Sequence, residues 1–155
     1  MEYPKVKPCL NTSENDLVSE LYQPCLQWAT SFDRGVGYFT TGWLTHNVSG
    51  MSDFASHGGV MRLITSPILS NEDSDAIIGA SEDNHAAYEK FEEALSRNVD
   101  DLKTEMSNDI LNAFSWMLYD GIIEMKFAVP CKKLGNGDFH DKFGIFYKEQ
   151  QTSFQ

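Results

Sequence analysis

The sequence predicts an α/β protein, a mixed β-sheet flanked by helices, and three observations carry that prediction. Apolar residues recur at helical spacing in long blocks, and short apolar or alternating runs separate those blocks. Glycines stand where the helical patterns stop, at Gly58–Gly59 and at Gly121. The resulting order of strand, helix, strand, helices, strand, strand is that of an α/β domain ending in a hairpin.

The first helix is expected in "TSENDLVSELYQPCLQWA", where Ser13 is placed to cap, acids follow in the first turn, and Leu17, Leu21, Cys25 and Trp28 share a face. Pro24 should break it. In "FDRGVGYFTTGWL", Val36, Tyr38 and Phe39 read as a short strand, with Asp33 and Arg34 just before it as a local ion pair or part of a site rim, the ion pair being the favoured reading. "GWLTHNVSGMSDFASHGG" places Leu44, Val48, Met51 and Phe54 on one helical face. "VMRLITS" is an apolar run suited to a buried strand, ended by Pro67. From Ser70 to about residue 120 the pattern is helical, with Ala87, Phe91 and Leu95 on one face, then Ile110, Phe114, Met117 and Leu118 on another. "IIEMKFAV" alternates as a strand, "PCKKLGNGD" is a turn, and "FHDKFGIFYK" is the final strand. Trp28, Trp43, Phe91, Phe114 and Trp116 are expected in the core.

The 155 residues are enough for one domain, spanning 1–155, with 41% apolar content. No apolar run has the length of a membrane span, and "MEYPKVKPCL" lacks the apolar core of a signal peptide. Cys9, Cys25 and Cys131 have no zinc-type spacing and are expected to be reduced thiols, which fits a cytoplasmic protein. No two of His46, His57, His85 and His140 have metal-ligand spacing, so neither a metal nor a cofactor is expected. "DRGVGYF" contains G-x-G but lacks the third glycine of a dinucleotide site.

The net charge of −11 argues against a nucleic-acid partner. Its distribution reopens the question. Residues 70–110 hold twelve acids against Lys90, Arg97 and Lys103, whereas residues 126–148 hold five lysines against Asp138 and Asp141. The acidic load belongs to the helical region of about residues 70–120.

Within the basic stretch, "GDFHDKFGIFYK" offers the chain's clearest chemistry. In a strand, His140 and Lys142 project from one face with Gly144 and Phe146, while Phe139, Asp141, Phe143 and Ile145 face the other way. An imidazole can attack phosphorus while an ammonium neutralises the non-bridging oxygens. The same alternation also describes the solvated face of an edge strand, and the local pattern leaves both readings open.

Taken together, "FDRGVGYFTTGWL", "GGVMRLITSPILSNEDSDAI", "DGIIEMKFAV" and "FHDKFGIFY" resemble the phospholipase D superfamily. The likeness is to the phospholipase D-like nuclease domain at the N-terminus of bacterial DEAD/DEAH-box helicases. It covers most of the chain from about residue 14. The resemblance implies a phospholipase D-like fold and a metal-independent phosphodiesterase, a nuclease working through a phospho-histidine. His140 would be the nucleophile and Lys142 the phosphate clamp. It further implies nucleic acid as partner, a homodimer that brings two histidines together on a two-fold axis, and a helicase domain of the same parent protein. The superfamily's aspartate, which follows the lysine after four intervening residues, falls here on Tyr147. The Gly-Ser pair and Asn that follow in such proteins would lie past Gln155, so a chain cut before the end of its domain is expected. The departure at Tyr147 leaves a second reading, a catalytically degenerate module for dimerisation or for positioning nucleic acid.

Overall fold

The computed structural model describes residues 2–39, 41–66, 84–105, 107–128 and 141–148. They form an α/β unit with a mixed four-stranded sheet. After a π-helical turn, Val18–Tyr22, come α1 (Gln23–Trp28), β1 (Ser31–Val36), α2 (Thr41–His46), α3 (Val48–Ser56) and β2 (Val60–Thr65). Then follow α4 (Asn84–Glu105), α5 (Asn108–Tyr119), β3 (Ile123–Phe127) and β4 (Phe143–Tyr147). Strand order is β3-β2-β1-β4, with β1, β2 and β3 mutually parallel and β4 antiparallel to β1.

The hairpin expected at the end of the chain does not form. β3 and β4 occupy opposite edges of the sheet. β3 leaves α5 alongside β2, as a helical crossover between parallel strands does. Residues 128–142 then separate the strands, far more than a tight turn needs, and β4 reaches the free edge of β1.

The first strand begins five residues earlier than the sequence suggests. Its polar residues point to opposite faces, Asp33 toward Arg62 and Arg34 toward Trp43, so neither disrupts the ladder with Val60–Thr65. The expected Asp33–Arg34 ion pair is therefore absent; Asp33 pairs with Arg62 on the neighbouring strand. Pro24 does not end the first helix either. It occupies the second position of α1, and the wider π turn ahead of it accommodates a residue that offers no N–H. The single helix expected over residues 43–56 is two, divided at Asn47, whose Nδ2 donates to the Trp43 carbonyl at 2.8 Å. The same carbonyl also accepts from the Asn47 backbone N–H at 3.0 Å, and a side chain that shares a backbone acceptor in this way bends a helix. Gly58, at φ 80°, and Gly121, at φ 71°, end α3 and α5 in the left-handed region glycine tolerates.

The core lies on one face of the sheet. Phe32, Val36, Met61, Leu63 and Ile123 from the strands meet Leu26, Leu44, Met51, Phe54, Phe114 and Met117 from α1, α2, α3 and α5. α4 joins the same side through Phe91, which packs edge-on against Phe127, and it buries Ala94. Three apolar residues expected inside are not: Val48, Leu118 and Trp116 are exposed, the last at 51%. Trp116 instead borders an open groove of about 350 Å³ between α3 and α5, with Val48, Ala55, Ala113 and Met117. Cys9 and Cys25 are free thiols, and burial pushes the Cys25 thiol upward in pKa. Cys131, the start of the acidic region at residues 70–83, and Gln155 lie outside the described residues.

Candidate functional site

Of the two residues singled out for chemistry, Lys142 is described and His140 lies outside the described residues. The strand begins at Phe143, so Lys142 is its exposed lead-in rather than a member of it. β4 runs antiparallel to β1, pairing Phe143 with Gly35, one residue before the end of β1. Lys142 therefore enters at the C-terminal end of β1, and of the parallel strands beside it. In open α/β sheets, ligand sites lie beyond this end.

β1 carries two clusters, one on each face. On the face away from the core, Arg62 holds Asp33 bidentately, Nε to Oδ1 at 2.6 Å and Nη2 to Oδ2 at 2.5 Å. The Tyr147 hydroxyl donates to Asp33 Oδ2 at 3.0 Å and also meets Arg62 Nη2. Three strands are thereby joined through one carboxylate. The guanidinium holds the Asp33 carboxyl below its ordinary pKa, and Tyr147 adds to the effect. Asp33 in turn raises Arg62 further above its already high value. Tyr147 is thus committed to a carboxylate supplied by β1. Sequence reading missed this cluster. Asp33, Arg62 and Tyr147 carry no shared spacing, and only the strand register brings them together.

On the core side, Arg34 lies 4.3 Å from the Trp43 ring centroid and 5.6 Å from that of Tyr22. Its Nη1 donates to the Tyr22 hydroxyl at 3.1 Å. It forms no ion pair among the described residues. The Trp43 indole N–H and the Asn47 Oδ1 are buried without partners among the described residues. Opposite Arg34 in the ladder stands Gly144, and next to that Phe146 stacks on Phe32 with ring centroids 4.1 Å apart.

The other histidines are placed structurally. His57 Nε2 lies 2.8 Å from the Ala29 carbonyl and packs edge-on against Phe54. His85 pairs with Glu89 across one exposed helical turn of α4, and His46 ends α2. No group of three His, Cys, Asp or Glu side chains suited to a metal ion occurs among the described residues. No helix among them is long and apolar enough to cross a membrane. No protein-family profile, no curated protein and no solved structure matches this chain.

Proposed function

We propose that the chain is a phospholipase D-type phosphodiesterase domain acting on nucleic acid, a cytoplasmic, metal-independent nuclease that functions as a homodimer within a larger helicase-like protein. The observation that carries this reading is the placement of the H-x-K lysine. Lys142 enters at the C-terminal end of the parallel strands, where α/β sheets bind ligands. The upstream segments that resemble the superfamily supply β1 and β2, the two strands nearest that entry. In the proposed reaction the His140 imidazole attacks phosphorus and the bond to the leaving oxygen breaks. The symmetry-related histidine delivers a proton to that oxygen. Water then cleaves the phospho-histidine, restoring the imidazole, while Lys142 neutralises the non-bridging oxygens throughout.

Purified intact protein, assayed on labelled DNA and RNA with a chelator present, tests this directly. His140→Ala should abolish cleavage, and Lys142→Ala should lower it about 10²–10³-fold, the usual effect of losing one transition-state donor. Cleavage undiminished in His140→Ala sinks the assignment. One observation favours the second reading, a non-catalytic module for dimerisation or nucleic-acid positioning. Tyr147, at the superfamily's aspartate position, is held by Asp33 and Arg62 in a structural cluster. Wild-type protein that binds nucleic acid without cutting it would decide for that module.

A further inference from the structure

Arg34 is an unusual cation for this protein. It is half-buried in the middle of β1, on the side covered by helices, in a chain with 23 acids and 12 bases. Taking a guanidinium partly out of water costs free energy unless an anion compensates it. The acid next to it in sequence, Asp33, points to the opposite face and is occupied by Arg62 and Tyr147. What surrounds Arg34 instead is two aromatic rings and one hydroxyl. Stacking on rings fixes the plane of a guanidinium and leaves its edge donors unused. Among the described residues only its Nη1 has a hydrogen-bond partner, and the indole N–H of the ring beneath it has none. Among the described residues the guanidinium edge and the Trp43 indole N–H lack acceptors, the Asn47 Oδ1 lacks a donor, and Arg34 forms no ion pair, so spare donors remain to receive an anion.

The ladder relates Arg34 to the H-x-K segment. Arg34 pairs with Gly144, and Lys142 stands two residues earlier, in the exposed lead-in to β4. At about 3.3 Å per residue, two residues along the chain amount to roughly 7 Å, within the reach of two long cationic side chains. Gly144 opposite Arg34 contributes no side chain, and the Phe32 ring packs against it there, 3.1 Å from where a β-carbon would stand.

We infer that Arg34 is a second phosphate-binding residue of the site entered by Lys142, held by Trp43 and Tyr22 to take a non-bridging oxygen of a nucleic-acid backbone phosphate. This rests on the phosphodiesterase reading for the nature of the anion. The guanidinium fork supplies orientation, which the point charge of Lys142 cannot.

The test is binding of a fluorescently labelled single-stranded oligonucleotide to intact protein carrying His140→Ala, so that turnover does not intrude, across a salt series. Arg34→Met keeps a side chain that packs on the rings but removes the charge, and Arg34→Lys keeps the charge but loses the fork. Arg34→Met should weaken binding about 10–100-fold, the scale of one charged hydrogen-bonding group. It should also reduce the salt slope by about one, as expected when one fewer phosphate is neutralised. Arg34→Lys should keep the slope while weakening binding less. A purely structural role would lower the melting temperature and leave the slope unchanged, and that result overturns the inference. So does a wild-type chain that does not bind the oligonucleotide. If the protein binds with the Arg34-dependent slope yet never cleaves, the phosphodiesterase reading fails and the anion site stands. If it cleaves and Arg34→Met binds with an unchanged slope, the reverse holds.

Discussion

The two faces of the sheet are built from the same five- and six-residue strands and have opposite fates. On the helix-covered face, Phe32, Met61, Leu63 and Ile123 are at most 3% exposed. On the other, the alternate residues of the same strands reach solvent among the described residues: Ile64 at 39%, Phe143 at 48% and Ile145 at 54%. Parallel sheets ordinarily read as continuous apolar runs covered on both sides, and "VMRLIT" invited that reading. Its burial instead alternates, Met61, Leu63 and Thr65 inward, Arg62 and Ile64 outward. The difference shows where stability and specific polar contact divide. The covered face carries the apolar burial and the Arg34 cluster, whereas the open face ties strands together through Asp33, Arg62 and Tyr147.

That contrast can be broken by substitution. The largest effect is expected at Phe32, stacked on Phe146 and fully buried; Phe32→Ala should cost about 3–5 kcal/mol in denaturant unfolding. Met61→Ala, in the next strand of the same face, should cost about 2–5 kcal/mol. Asp33→Asn on the open face should destabilise less than either, and its effect should depend on pH. The folded carboxyl titrates below its ordinary value of about 3.9. The unfolded chain therefore binds more protons between the two values, and the stabilisation is fully present above about pH 4. It is lost as pH falls through the lower, folded value. The stability gap between wild type and Asp33→Asn should thus be constant from neutral pH to about 5 and close in stronger acid. The smallest effect belongs to Ile145→Thr, within about 0.5 kcal/mol, as for a solvent-facing position. A loss at Ile145 as large as that at Phe32 would mean that the second face is covered in the folded protein.

Gly35 sharpens the same contrast at one backbone position. A β-carbon there would run into the Phe143 ring, which lies over the glycine on the open face. Because that ring is half exposed it can swing away, so Gly35→Ala should displace Phe143 and the lead-in at Lys142 more than it unfolds the protein. Hydrogen exchange at the amides of β4 reads that displacement against the amides of β2.

Much of the architecture was legible in the residues themselves. The α/β class, the strand at Val60–Thr65, the glycine stops at Gly58 and Gly121, and the burial of Leu44, Met51, Phe54, Phe114 and Met117 all follow from period and punctuation, which are local properties. The H-x-K spacing and the change in charge along the chain are equally local. The sheet order was not legible, because β3 and β4 are neighbours in sequence and only competition for the edges of β1 and β2 separates them. Nor was the start of β1, since hydrogen bonds to another strand override two polar residues in a row. The partners of Asp33 and Arg34 were least readable of all. Adjacent side chains of opposite charge invite pairing on paper, yet the pleat turns them to opposite faces. Packing then gives one a guanidinium from β2 and the other a bed of aromatic rings.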